Sequence, residues 1–478
     1  MRLTPTAFLE LFDIKLSEKI LEYENWFFDE GLKISESVDR KRTVHLRMFD
    51  RFGNRVDELL YSPEYYRMLY KAYKMGIIAN AFEEKSLKFF YTLGYVISFF
   101  DTGLYCPYTV SMASAMSLYK YADEKLKEEY FAKMIKKGND VWQGATWMTE
   151  VNGGSDLANN VETIAEYKKE KWQLNGEKYF SSNVGAELAI VAARVKDKPK
   201  NVKSLSLFLV PRYRKDGTLN YFIRRIKDKI GTRSVPTGEV ELKDSEGYLI
   251  GKEEWGIYLI LEALNISRVA NSIGSVALAQ RAIYEAQKFA SRRVAFGKNV
   301  IEHPLLKRQF EERSSQLLKA FALSWECVLM LDEVIHQKPP YSERYFLFRL
   351  LTHLAKFWTA EIAVQNCKWA MEVNGGMGVL EEYGVERLLR EAMILPIWEG
   401  TPHRQVLDAL EVILKKDGHK LLYSHLESID PKALEIYEIG ERLKQISPEE
   451  SEKYADLYMN EICQLTAEIL VKKYRIIF

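Results

Sequence analysis

The sequence predicts a mainly helical α+β fold, with roughly 100 residues of antiparallel β structure inserted into a helical protein. Three observations predict it. Long stretches on both sides of the insert carry apolar residues at helical spacing. From about Gly144 the pattern switches to short alternating runs punctuated by Gly and Pro. From His419 to Phe478 helical spacing returns. The expected divisions are a helical domain over 1–143, a β domain over 144–253, a helical bundle over 254–415 and a helical extension over 416–478.

In chain order, residues 1 to about 140 read as helical. Helices are expected over Ser62–Met75, with Ser62-Pro63 as its start, and over Glu83–Phe100. Tyr108–Tyr121 is rich in Ser, Ala and Met, which suits a helix packed closely on neighbours or on a ligand. Asp123–Lys137 is a charged amphipathic helix. In the β domain, Val161–Tyr167 and Trp172–Leu174 alternate, Asn175-Gly176 signals a hairpin turn, and Lys178–Ser182 is the returning strand. Glu187–Val195, Ser204–Val210, Tyr221–Ile226 and Gly238–Leu242 complete the set of strands. Three long helices follow, over Ile257–Arg293, from His303-Pro304 to Val334, and over Tyr345–Val373. After a Gly-rich break come a short helix at Glu381–Arg390 and another from Pro402. Long helices joined by short breaks argue for an antiparallel bundle. The extension should break near Asp430-Pro431 and Ser447-Pro448.

Composition narrows the function classes. The 478 residues are 47% hydrophobic and 28% charged, with a net charge of +1, so no global field recruits nucleic acid or an anionic membrane. Cys106, Cys327, Cys367 and Cys463 lack metal-ligand or disulfide-framework spacing and read as reduced thiols; no metal is expected. Neither a signal peptide nor a membrane span is legible, and the expected location is the cytoplasm.

Four stretches carry residues suited to chemistry. Arg390–Gln405 (REAMILPIWEGTPHRQ) places Glu399 between an apolar run and a Gly-Thr-Pro step, with Thr401 suited to N-cap a helix from Pro402. Glu399 reads either as an acid favoured by the helix dipole or as a desolvated general base. Trp147–Leu157 (WMTEVNGGSDL) is an ordinary turn, or a loop offering backbone donors to a phosphate or ring edge. Arg292–Lys298 (RRVAFGK) closes a long helix with arginines that are dipole partners or pyrophosphate ligands, and Glu372–Gly378 (EVNGGMG) is a C-cap and turn in its plainest reading.

Taken in order, MTEVNGGSD, GEKYFSS, GTRSVPTGEVEL, RRVAFGK, EVNGGMG and IWEGT resemble the acyl-CoA dehydrogenase family over residues 60 to 415. KDKIGTRS, RVAFGK and the Trp of IWEGT look most like its alkylation-response (AidB-type) branch. The resemblance implies the family fold, with a β-barrel-like middle domain, and FAD bound between that domain and the bundle. By position, Met148, Thr149, Gly154 and Ser155 would line the flavin. Phe180 and Ser182 match the second flavin motif, with Phe in place of the usual Trp. Arg293 and Phe296 match a helix end that reaches a neighbouring subunit's FAD, and Gly375 and Gly376 match a close backbone approach to the same cofactor. Thr401 and His403 fall at flavin-contact positions, although His403 replaces a more usual Gln or Asn.

The implied reaction is α,β-dehydrogenation of an acyl-CoA, with Glu399 as base. The other position used for a base in one branch is Ser267 here. Arg268 is a substrate-side or structural arginine. Implied partners are an acyl-CoA, an electron-transfer flavoprotein or other electron acceptor, and further copies of the chain in a homotetramer or homodimer. The alternatives are an oxygen-using acyl-CoA oxidase and a protective flavoprotein that binds nucleic acid. Against the last, Lys415–Phe478 holds 10 Lys plus Arg and 12 Asp plus Glu, with only Lys472, Lys473 and Arg475 clustered.

Overall fold

Helix starts follow caps written in the sequence. In a computed structural model, which describes residues 3–41, 44–474 and 476, Ser62 Oγ accepts from Tyr65 N at 3.2 Å and Pro63 opens the Pro63–Lys74 helix. The same Ser-Pro logic starts Pro448–Lys453, and Ser342 caps Glu343–Asn374. The Glu83–Phe100 expectation holds only from Lys88. Lys85 is left-handed (φ 52) and Ser86 Oγ accepts from Lys88 N, so the Lys88–Phe100 helix starts there. Among the described residues, no helix is long and apolar enough to cross a membrane.

The chain divides into two compact units. One comprises Gly31–Phe90 and Gly103–Ser267. Its sheet runs in the order Gly144–Trp147, Leu188–Val195, Ile164–Lys168, Lys171–Ser182, Thr237–Ile250, Leu205–Pro211, with Phe222–Ile226 paired to Thr237–Ile250. Leu205–Pro211 also pairs with Leu188–Val195, so the path closes on itself. Pairings are antiparallel except those of Leu188–Val195 with Gly144–Trp147 and with Ile164–Lys168. Trp147, Val191, Phe208, Tyr221 and Val240 lie in its core. The small residues of the Thr102–Tyr121 helix let it press on the first strand. Ser114 Oγ donates to Ala145 O at 2.9 Å, and a Cβ at Gly144 would lie 2.6 Å from Ser114 Cβ.

Two sequence expectations fail in this unit. Asn175-Gly176 is not a turn: Lys171–Ser182 is one continuous strand, and the reversal falls on left-handed Lys169 and Glu170. Gly176 instead marks a bulge, where any Cβ would meet Thr163 Oγ1 at 2.5 Å. The region before Gly144 is not wholly helical either. His45–Phe49 pairs with Arg55–Leu60 around a turn in which Asp50 Oδ1 accepts from Phe52 N and Asn54 N.

The other unit comprises Met1–Glu30, Tyr91–Thr102 and Arg268–Phe478. Phe8, Phe12, Tyr95, Phe321 and Trp325 form an aromatic cluster joining its N-terminal helix Pro5–Glu10 to the long helix Pro304–Val334. Helices Glu343–Asn374 and Pro402–Lys416 complete the bundle. The extension folds as Gly418–Leu426, Ala433–Gln445, Pro448–Lys453 and Ala455–Val471, with breaks where Asp430-Pro431 and Ser447-Pro448 predict them. Ala455–Val471 packs on the bundle helices.

Candidate active site

Glu399 lies in a turn between the helices Val385–Ala392 and Pro402–Lys416. Its backbone is left-handed (φ 59), and Gly400 follows at φ 106. A non-glycine residue there costs about 1–3 kcal/mol and persists only where its surroundings over-determine it. Four side chains do so by donating to carbonyls of this turn. Asn271 Nδ2 donates to Leu395 O at 3.0 Å, and Arg268 Nε to Glu399 O at 3.0 Å. Lys356 Nζ donates to Pro396 O at 2.5 Å and Gly400 O at 2.6 Å. Gln405 Nε2 donates to Glu399 O at 3.0 Å and Gly400 O at 3.2 Å. Thr401, expected to cap the last helix with its hydroxyl, makes no such bond; its carbonyl accepts from Gln405 N instead.

A second layer fixes these donors. With both donor contacts of Gln405 Nε2 directed at carbonyls, its Oε1 accepts from His353 Nδ1 at 2.9 Å, which sets the imidazole tautomer. Burial and the nearby Arg268 and Arg349 hold the His353 pKa well below the usual range, so the ring is neutral. Asp408 accepts from Arg404 Nε at 2.9 Å and lies 3.8 Å from Arg268 Nη2.

The Glu399 carboxyl is pushed up to about 7 by desolvation, with the charges of Arg268 and Lys356 opposing. Lys356 is fully buried and is pushed down to about 7 by burial, opposed by Glu399 and reinforced by Arg268. A carboxylate tuned to neutrality suits proton abstraction from a weakly acidic C–H.

The residues expected to hold FAD fall on both units. In the first, Met148 and Thr149 follow the strand Gly144–Trp147. Thr149 folds onto Gly154, where a Cβ would lie 2.4 Å from its Oγ1; Gly154 and Ser155 are exposed. Phe180 presents an exposed ring, and Ser182 Oγ lies 3.3 Å from Thr237 Oγ1. Beneath this loop is an ion pair. Glu150 accepts from Lys178 Nζ at 2.6 Å, Thr163 Oγ1 at 2.6 Å and Glu162 N at 2.7 Å. In the second unit, Arg293 and Phe296 leave the helix Gly256–Ala290 on a small hairpin, both exposed. Gly375 (φ 58) and Gly376 follow Glu343–Asn374 with nothing within 4 Å of where a Cβ would stand. His403 is exposed, and Thr401 half-buried. Within the first unit, the exposed Gly154–Ser155 backbone and the exposed Phe180 ring are donor and stacking groups of the kind a flavin dinucleotide takes.

Of the site residues expected from sequence, the structure brings Arg268, Thr401 and His403 to the Glu399 turn. The reading missed Lys356, His353, Gln405 and Asn271. The signal available was a His and a Lys three residues apart in the apolar run RLLTHLAKFW, on one helix face. Glu150 and Lys178 lie inside the stretches MTEVNGGSD and GEKYFSS.

Comparison with known proteins places the chain. The acyl-CoA dehydrogenase C-terminal domain matches residues 254–414, the middle domain of the same family 145–245, and the adaptive response protein AidB N-terminal domain 32–141. Acyl-CoA dehydrogenase family member 11 of Caenorhabditis elegans is 31% identical over 394 residues, 78% of this chain; the match spans 63% of that relative's length. Putative acyl-CoA dehydrogenase AidB of Escherichia coli (strain K12) is 29% identical over 414 residues, covering 81% of this chain and 73% of that protein. Among solved structures, Bd2924 in its apo form superposes with a TM-score of 0.87 at 27% identity, covering 98% of this chain and 96% of that one. The Caenorhabditis elegans ACDH-11 structure, solved with C11-CoA, shares the fold with a TM-score of 0.81 at 24% identity, covering 96% of this chain and 85% of that one. Two acyl-CoA dehydrogenase domains, preceded by an AidB-type N-terminal domain, make this chain a member of the acyl-CoA dehydrogenase family, on its AidB-like side.

Proposed function

We propose that the chain is an FAD-dependent acyl-CoA dehydrogenase in which Glu399 is the base that removes the α proton of an acyl-CoA thioester. The observation that carries this reading is Glu399 itself, a carboxyl raised to about 7 by desolvation and fixed by donors on every side of its turn. FAD, once bound, supplies the two-electron acceptor for the hydride that leaves the β carbon. Met148, Thr149, Gly154, Ser155, Phe180, Ser182, Gly375, Gly376, Thr401 and His403 are the residues assigned to hold it. Arg293 and Phe296 are assigned to the FAD of a neighbouring copy, in a homotetramer or homodimer. Arg268 Nε donates to Glu399 O and so holds the Glu399 turn, and the guanidinium is the group assigned to the substrate side. Electrons pass on to an electron-transfer flavoprotein or another carrier.

Nucleic-acid binding is the weaker reading. Of the three clustered cations of the tail, Lys472 pairs with Asp430 and Lys473 Nζ lies 2.7 Å from Glu326 Oε2; Arg475 lies outside the described residues. Cations already neutralised release few phosphate counterions.

The test is anaerobic flavin absorbance against a panel of acyl-CoAs. The protein should be yellow, acyl-CoA should bleach it, and Glu399→Gln should keep the flavin while losing the bleaching. A colourless protein that takes up no FAD removes the cofactor assignment, and undiminished bleaching in Glu399→Gln moves the base elsewhere.

A further inference from the structure

Lys356 stands on the helix Glu343–Asn374, one turn after His353, on a buried face that also carries Thr352 and Thr359. A lysine with no exposed surface is costly to bury and persists only with acceptors and compensating charge. Its acceptors here are two carbonyls, of Pro396 and Gly400, which bracket Glu399 in sequence. Bonds to carbonyls before and after a residue restrain the turn that carries it. Its charge is also one of two that act on the Glu399 carboxyl.

We propose that Lys356 is a positioning residue for Glu399, clamping the Pro396–Gly400 turn from both sides and bringing a cation to it. This rests on the reading of Glu399 as the base, and adds to it the group that shapes the base and sets its working pH. Three elements face the pair. The helix Gly256–Ala290 contributes Arg268; Glu343–Asn374 contributes Arg349, neutral His353 and Lys356 itself; and Pro402–Lys416 contributes Arg404 and Asp408. Arg404 and Asp408 pair with each other, and Arg268 is 3.8 Å from Asp408. Lys356 bonds the turn on each side of Glu399 and brings a charge there. Arg268 Nε bonds the Glu399 carbonyl, and Gln405 bonds two carbonyls without charge. The clamp is therefore divided: Gln405, oriented by His353, supplies shape, whereas Lys356 supplies shape and field.

The experiment reads the Glu399 carboxyl directly, by infrared difference titration of the full-length protein, with Glu399→Gln identifying its C=O band. Lys356→Met and Lys356→Gln both remove the charge, and Gln retains a donor. In both, the protonated-carboxyl band should persist to higher pH, by roughly one to three units. Lys356→Arg, which keeps the charge, should return the titration toward wild type. If Lys356→Met does not fold, Lys356→Gln and Lys356→Arg still oppose each other on charge. A titration unmoved in the neutral variants overturns the proposal. In steady-state turnover, the acid limb should follow the same shift, with kcat falling more than KM rises. If acyl-CoA never bleaches the wild type, the base reading fails while the infrared shift still decides the Lys356–Glu399 relationship.

Discussion

Gln405 Nε2 stands 2.6 Å from the point a Cβ on residue 400 would occupy, and 3.2 Å from the Gly400 carbonyl it holds. The amide that fixes the turn therefore occupies the space a side chain would need, at a backbone φ of 106 that L residues rarely adopt. Gly400→Ala should push Gln405 off both carbonyls and release Glu399. A loss of about 1–3 kcal/mol in stability is expected, together with a larger fall in kcat than in FAD content. Thermal unfolding alongside flavin bleaching checks this; wild-type bleaching in a normally stable Gly400→Ala protein would refute the coupling.

The Glu399 carboxyl sits at about 7, against a usual value of 4.5. The base must be ionised, so kcat/KM should rise with pH through about 7 on its acid side. Stability runs the other way. The folded state binds this proton more tightly than the unfolded chain, so the contribution is full below about 4.5 and is lost as pH rises through about 7. Glu399→Gln, neutral at every pH, should be more stable than wild type at pH 8, by on the order of 1–3 kcal/mol, with the gap closing toward acid pH. Chemical denaturation at the two pH extremes decides it, and a gap that widens in acid contradicts the sign.

How legible this site was in the sequence follows from the range of its interactions. Glu399, Gly400 and the Pro402 helix start are neighbours in sequence, and a local pattern could find them. Lys356, His353 and Asn271 reach the turn only through tertiary packing, from helices whose spacing announces burial but not partners. The helices themselves were legible because caps such as Ser62-Pro63 and Ser447-Pro448 are local. The Asn175-Gly176 pair misled for the converse reason. Its glycine answers to Thr163, a contact outside the window a turn signal uses, while Lys169-Glu170 made the turn with residues that carry no turn signature. The His45–Phe49 strand escaped because its exposed and half-buried residues alternate without a buried face.

Under the Met148–Ser155 loop, Glu150 and Lys178 form a buried ion pair at 2.6 Å, with both side chains almost without exposed surface. Burial raises the Glu150 carboxyl, but Lys178, Thr163 and a backbone N–H outweigh it and hold it below the ordinary range. Lys178→Met leaves that carboxylate uncompensated and should cost about 3–5 kcal/mol, with FAD lost on gel filtration. Adding Glu150→Gln should recover most of the stability, because the charge left stranded is then removed. A double variant no better than the single one would mean that packing, not charge, sets the cost.

The C-terminal cations close the extension onto the bundle. Glu326 of Pro304–Val334 accepts from His425 Nε2 at 2.6 Å and from Lys473 Nζ at 2.7 and 2.8 Å, and the Tyr474 ring packs 4.8 Å from Phe12. Glu326 has almost no exposed surface, so its charge depends on these donors. Lys473→Ala should lower the melting temperature by about one to two degrees, as a loss of about 1–2 kcal/mol implies for a chain of this length. Neither this variant nor the wild type should shift duplex DNA at low salt. A salt-sensitive shift abolished by Lys472→Ala and Lys473→Ala together would show instead that these side chains leave Asp430 and Glu326 for phosphate, and would move the extension from a structural strap to a nucleic-acid contact.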